Sequence, residues 1–154
     1  MGIEIERKFL LKDDSWRSLS SGRIYYQGYL SSTKEHVVRV RIIGAKGFLT
    51  IKRFISGRLR MEFEYEIPFE DAREMLDKVC EKPLIEKKRY RIEHQGMVWE
   101  IDEFLGANRG LVVAEVELEQ ENQTVEKPEW IGAEVTEDPR YLNINLVKHP
   151  FSKW

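Results

Sequence analysis

The 154-residue chain has a formal net charge of −2 although 34% of its residues are charged, so it is rich in both signs and its overall charge names no partner. That length accommodates one domain, residues 1–154, with a proper core, and no run approaches the roughly 18 apolar residues of a membrane span. A lone cysteine, Cys80, excludes an intramolecular disulfide; with no basic and apolar leader before the first strand, the expectation is a soluble cytoplasmic protein with Cys80 in a core.

The first predicted strand, around residues 4–9, alternates charge and apolar bulk at every step. In an extended chain Glu4, Glu6 and Lys8 share one face, and Ile3, Ile5 and Phe9 share the other. A serine-rich connector over 13–22, with a helical turn around Trp16, leads to a second strand over 23–30. After a turn at 31–35 a third strand ends at Ile43, residues 44–47 form a glycine-bounded hairpin, and a fourth strand covers 48–54. Ser56-Gly57 turns the chain into a fifth strand over 58–67, which Pro68 stops. Phe69, Ala72, Met75, Leu76 and Val79 then mark an amphipathic helix, with Glu70 and Asp71 in its first turn and its end near Lys82-Pro83. A sixth strand over 84–93 and a seventh over 97–104 flank a Gln95-Gly96 turn, and an eighth covers 111–119. Residues 121–137 read as irregular or loosely helical, and Asp138-Pro139 opens a last short helix to about Lys148.

Eight strands in hairpin order imply an all-β-dominated antiparallel sheet with a few helices. The same alternation recurs in strand after strand, giving one face lined by acids and bases and one lined by apolar side chains. Periodicity leaves two arrangements open: a barrel with a polar interior, or an open sheet with one wet face. Either way the apolar face needs a cover, which the two predicted helices supply in part; the helices could equally face a dimer partner.

The charged face has chemistry of its own. Glu4 and Glu6 at one end of the chain and Glu115 and Glu117 at the other are hard oxygen donors of the kind Mg²⁺ or Mn²⁺ prefers. His36, His94 and His149 lack ligand spacing and give no zinc signal. Lys8, Arg39, Arg41, Lys52, Arg58, Arg60, Lys87, Arg89 and Arg91 suit several phosphate groups. No glycine-rich phosphate loop is present, so side chains must hold any phosphate. The bland alternative is cross-strand ion pairing, which stabilises little per exposed pair.

Glu4-Ile-Glu-Arg-Lys8 resembles the Glu-x-Glu-x-Lys signature of the CYTH superfamily, the triphosphate tunnel metalloenzymes. Gln27-Gly-Tyr-Leu30, Val38-Arg-Val-Arg41, Leu49-Thr-Ile-Lys52, Glu62-Phe-Glu-Tyr-Glu-Ile-Pro68, Ile85-Glu-Lys-Lys-Arg-Tyr-Arg91, Trp99-Glu-Ile-Asp102, Leu111-Val-Val-Ala-Glu-Val-Glu-Leu118 and Glu134-Val-Thr136 are similar to that family's blocks in order. The resemblance implies a closed eight-stranded barrel with a charged interior and Mg²⁺- or Mn²⁺-dependent hydrolysis of inorganic tripolyphosphate, as in the short bacterial members. It implies that Lys8, Arg39, Arg41, Lys52, Arg58, Arg60, Lys87 and Arg89 grip phosphate and that Glu4, Glu6, Glu62, Glu64, Glu115 and Glu117 hold one or two ions. It also implies that Lys8 and Tyr29 help activate the attacking water. The first motif is shared with thiamine triphosphatases and class IV adenylyl cyclases, which stand as alternatives; a polyphosphate-binding module without turnover could dispense with the paired acids. No nucleic-acid or membrane partner is expected. Phe9, Phe63, Tyr65, Tyr90 and Trp99 have apolar-face parity, leaving Tyr25, Tyr29, Phe48 and Phe54 on the charged face and little for a nucleobase to stack on. Tyr141-Leu-Asn-Ile-Asn-Leu146 is more apolar than the family's corresponding segment, which leaves the contacts of the last helix open.

Overall fold

The computed structural model describes residues 2–33, 35–56 and 59–154. Among them the strands are β1 (Gly2–Leu11), β2 (Arg23–Ser32), β3 (His36–Ile43), β4 (Lys46–Ser56), β5 (Leu59–Ile67), β6 (Ile85–His94), β7 (Met97–Phe104), β8 (Val112–Leu118) and β9 (Ile131–Glu134). The helices are α1 (Phe69–Lys78) and α2 (Asn143–Lys148). The spatial order β5-β4-β3-β2-β6-β7-β8-β1 closes on itself where Gly2 to Ile5 pair antiparallel with Leu59 to Glu62. β9 adds to the other end of β1, at Phe9 and Leu11. The eight strands expected from alternation are thus a closed barrel, and β9 is a ninth that the irregular reading of 121–137 missed.

Local chemistry sets the turns. Gln95 and Gly96 both take positive φ, 50° and 78°, the geometry that lets a two-residue turn follow the twist of β6 and β7. Close approach explains two other glycines. A Cβ at Gly28 would sit 2.8 Å from the Cβ of Cys80, and one at Gly47 would sit 2.5 Å from that of Ala72, so both let α1 lie flat on the sheet.

Parity chooses the inward face because the apolar side finds cover outside the barrel. α1 buries Ala72 and Leu76, with Cys80 just beyond its end, against Val40, Ile42 and Leu49 on the outside of β3 and β4. On the other flank, Trp16 from a 3₁₀ turn (Ser15–Leu19) and Trp130 ahead of β9 bury Phe9, Tyr90, Trp99, Ile101 and Val116. Fully burying one such side chain stabilises by roughly 1.5–3 kcal/mol, far more than exposed ion pairs return.

α2 does not cover the outside of the barrel. Leu146 and Val147 of α2, with Tyr141 ahead of it, pack against Tyr29, Val37, Ile85, Phe104 and Val113, the inward positions at one end of β2, β3, β6, β7 and β8. The terminal segment is a plug, and the barrel becomes a cavity closed at that end by apolar side chains. No helix among the described residues is long and apolar enough to cross a membrane.

Candidate active site

Inside the barrel lies a cavity of about 860 Å³. Glu4, Glu6, Lys8, Tyr29, Arg39, Arg41, Lys52, Arg60, Glu62, Glu64, Lys87, Arg89, Glu115 and Glu117 all line it. Arg58, expected in the same set, lies outside the described residues.

Strand order sorts these charges in a way that sequence order conceals. β3, β2 and β6 are neighbours and contribute Arg39, Arg41, Lys87 and Arg89; β8, β1 and β5 are neighbours across the barrel and contribute Glu115, Glu117, Glu4, Glu6, Glu62 and Glu64. A basic wall therefore faces an acidic wall. Lys8, Lys52 and Arg60 punctuate the acidic side, each beside a carboxylate: Lys8 Nζ is 3.6 Å from Glu115, Lys52 Nζ is 3.0 Å from Glu4 and 3.5 Å from Glu62, and Arg60 is 3.4 Å from Glu6.

The acidic wall puts like charges directly opposite each other, Glu6 across from Glu117 and Glu100 across from Glu115. Such pairs destabilise a sheet unless a cation intervenes. Arg89 serves the second pair, 3.5 Å from Glu100 and 3.8 Å from Glu115. Burial pushes Glu115 up, but Lys8, Arg89 and Lys87 overcome it and hold its carboxyl well below the usual range. Glu117 has no cation within 4.0 Å among the described residues, and burial, with Glu4, Glu6 and Glu100 nearby, raises it. Glu6 is raised by burial and by Glu115, and Glu4 by burial and by Glu62, against the opposing pull of lysines. A divalent ion fits this donor set by type and charge: hard oxygens whose mutual repulsion only a cation relieves. Among the described residues no three acidic, histidine or cysteine side chains already converge on one point. Of the predicted ligands, Glu64 accepts from Thr50 Oγ1 at 2.8 Å and from Arg39 at 3.4 Å, and Glu4 accepts from Lys52 at 3.0 and 3.4 Å.

On the basic wall, Asp102 anchors two cations. It accepts from Lys87 Nζ at 2.8 Å and from Arg89 Nε and Nη2 at 2.7 and 2.8 Å, and all three side chains are buried. Burial pushes Asp102 up, yet Arg89 and Lys87 hold it below the usual range. Burial draws the Lys87 ammonium down to about 7 against the pull of Asp102, with Arg89 and Arg41 adding to the depression. Arg41 differs from its neighbours. Its Nε donates to Gln27 Oε1 at 2.9 Å, and no carboxylate lies within 4.0 Å of it among the described residues. Burial, Arg39 and Arg89 push it down to about 9, so it keeps its charge at neutral pH without a counter-ion. Arg39 Nε is also buried, with no partner among the described residues.

Asp102, Gln27, Thr50 and Asn143 were absent from the predicted site set. Asp102 had the right parity, but nothing in the sequence marked it as an anchor rather than a ligand. Asn143, the first residue of α2, accepts from Lys87 Nζ at 2.8 Å and from Gln27 Nε2 at 3.1 Å, which ties the plug to the basic wall. Lys8 Nζ donates to the Tyr141 carbonyl at 3.3 Å, and the Tyr29 hydroxyl accepts from Gln27 Nε2 at 3.2 Å. Lys8 and Tyr29 thus stand near the plugged end without a hydrogen bond to each other among the described residues. Trp130 is buried against Trp99 outside the barrel, and Trp154 packs on Tyr141 and Phe151, so neither lines the cavity.

Comparison with known proteins agrees with this geometry. The CYTH domain family matches residues 2–150. An inorganic triphosphatase of Acetivibrio thermocellus is 53% identical over 154 residues, covering 100% of this chain and 99% of that protein. An inorganic triphosphatase of Nitrosomonas europaea is 36% identical over 148 residues, covering 91% and 93%. A crystal structure of an inorganic triphosphatase superposes with a TM-score of 0.65 at 35% identity, over 96% of this chain and 95% of that one.

Proposed function

The chain belongs to the CYTH domain family, and from that premise we propose that it hydrolyses inorganic tripolyphosphate to pyrophosphate and orthophosphate inside the barrel, with Mg²⁺ or Mn²⁺ as cofactor. The observation that carries the reading is a pair of charges on facing walls that have no counter-charge within 4.0 Å among the described residues: Arg41 on β3 and Glu117 on β8. A ligand that satisfies both carries phosphate oxygens on one side and a divalent ion on the other.

Glu117, without a cation within 4.0 Å among the described residues, is the ligand best suited to the ion, with Glu4 and Glu6, each beside one cation, next to it; Glu115 lies near two cations, and Glu64 accepts from both Thr50 and Arg39. Bound there, the ion would neutralise charge on the phosphate oxygens and polarise the phosphoryl group. Arg41 and Arg39 donate to phosphate oxygens through nitrogens the protein leaves open, and Lys87 adds a compact positive charge. Asp102 keeps Arg89 and Lys87 aimed at the cavity. Because the Tyr29 hydroxyl accepts from Gln27, its own hydrogen is free to donate toward the cavity, and Lys8 lies near the same end. These two groups orient the attacking water at a terminal phosphorus, in line with the bridging oxygen that leaves on pyrophosphate.

The test is orthophosphate release from tripolyphosphate, thiamine triphosphate and ATP under one metal, with cyclic AMP measured in parallel. Turnover should be fastest on tripolyphosphate. Faster release from thiamine triphosphate, or cyclic AMP from ATP, moves the assignment to the corresponding alternative.

A further inference from the structure

Two arginines of the basic wall share one aromatic ring. The Cζ of Arg41 lies 4.9 Å from the centroid of Tyr25, and that of Arg89 lies 5.1 Å from it. Tyr25 is buried on β2, the strand between β3 and β6 from which these arginines come, and it lines the cavity. The two guanidiniums are not equivalent. Arg89 is fixed by Asp102, Glu100 and Glu115, whereas Arg41 has one hydrogen bond, from Nε, and its terminal nitrogens make none to the protein among the described residues. Burial, then Arg39 and Arg89, disfavour charge on Arg41, so the free guanidinium needs something to hold it beside fixed like charges. The negative face of an aromatic ring supplies that, since it attracts each cation.

We propose that Tyr25 is a positioning residue for the triphosphate site, whose ring holds Arg41 against the repulsion of Arg89 and presents its terminal nitrogens to phosphate. The ring carries this role and the hydroxyl does not, because no hydrogen bond from the Tyr25 hydroxyl to the protein is found among the described residues. The same device recurs across the cavity, where Arg60 lies 4.8 Å from the centroid of Phe54, its partner across β4 and β5. Tyr25 and Phe54, two of the inward aromatics, thus serve as seats for cations. A ring covered by a guanidinium offers that face to no nucleobase.

The inference rests on the triphosphatase reading, and the test separates the two. Tripolyphosphate is titrated calorimetrically, in chelator to prevent turnover, into the full-length wild type, Tyr25→Phe and Tyr25→Leu, with far-UV circular dichroism on each. Tyr25→Phe should bind within about twofold of wild type, and Tyr25→Leu roughly tenfold more weakly. A phenylalanine series with increasing ring fluorination at position 25 keeps the shape while draining the negative face, and affinity should fall step by step along it. If Tyr25→Leu does not fold, the fluorinated series decides. Constant affinity along the series, or loss in Tyr25→Phe equal to that in Tyr25→Leu, overturns the role of the ring while leaving the activity standing. Absence of binding by wild type overturns the basic wall as a phosphate site, and the inference with it.

Discussion

Replacing Asp102 by Asn should destabilise the protein yet increase its response to polyanion. Asp102 and Lys87 each retain 1% exposure, and Arg89 makes two bonds to the same carboxylate at 2.7 and 2.8 Å. The amide keeps the volume but leaves two buried cations without their shared anion. Removing one partner of a buried pair costs about 3–5 kcal/mol, because the remaining charge is uncompensated. At about 2–4 °C per kcal/mol for a domain of this size, the melting temperature should fall by roughly 6–20 °C. Lys87 can offset part of the loss by releasing its proton. It is already drawn down to about 7 with Asp102 present, and without that carboxylate it goes lower. The sign follows: lowering the Lys87 value removes stability only where the wild-type ammonium is charged, below about 7, so the variant's deficit should be larger at pH 6 than at pH 8.5. Tripolyphosphate replaces the missing anion, so the rise in melting temperature on adding it should be larger for Asp102→Asn than for wild type. Thermal unfolding with and without tripolyphosphate, in chelator, measures both quantities. A variant as stable as wild type, or one that tripolyphosphate stabilises less, would refute the anchoring role.

Arg41→Ala should weaken tripolyphosphate binding by about 1.5–3 kcal/mol, the worth of a hydrogen bond to a charged group. Lys52→Ala should cost less affinity, because Glu4 and Glu62 already neutralise Lys52; a larger loss for Lys52→Ala in calorimetry contradicts the division into walls. Binding at pH 8 should take up protons on Lys87: its surroundings are Asp102, Arg89, Arg41 and Glu115, and an added anion raises its value from about 7. Uptake should reach at most roughly 0.9 proton per site, read from heats in buffers of different ionisation enthalpy as the difference between wild type and Lys87→Met. Affinity then falls as pH rises above 7, and an equal proton balance in both proteins removes Lys87 from the phosphate site. Tripolyphosphate should be turned over with a far higher kcat/KM than ATP, since the inward faces of Tyr25 and Phe54 seat arginines and Trp130 and Trp154 lie away from the cavity. Equal values would show that a base finds a surface elsewhere.

Period-two alternation made eight strands legible because each side chain answers to only two environments, and the strand ends fell within a few residues of those expected. Which face turned inward was not legible in the alternation; only the family resemblance implied it. That depended on Trp16 and Trp130, far from the strands they cover, and on α1 meeting Gly28 and Gly47. β9 escaped because four residues, Ile131-Gly-Ala-Glu134, are too few to alternate and are held as a strand by the end of β1. The position of α2 has a trace in the pattern: at Val37, Ile85, Phe104 and Val113 the charged parity turns apolar, all at one end of the barrel. Site residues were legible as a set and not as walls, since Arg41 and Glu117 become opposites only when β1 closes on β5. The role of Tyr25 needed coordinates, because parity places it in the cavity and says nothing of the two arginines against it.

The measurement that bears most directly on the whole account is ³¹P NMR of tripolyphosphate incubated with the protein under Mg²⁺ or Mn²⁺ and again in excess EDTA. Orthophosphate and pyrophosphate should appear in equal amounts with either metal, stop appearing in chelator, and resume when the metal is restored. Undiminished hydrolysis in EDTA would contradict a metal on the acidic wall, and intact tripolyphosphate under both metals would contradict the enzyme itself.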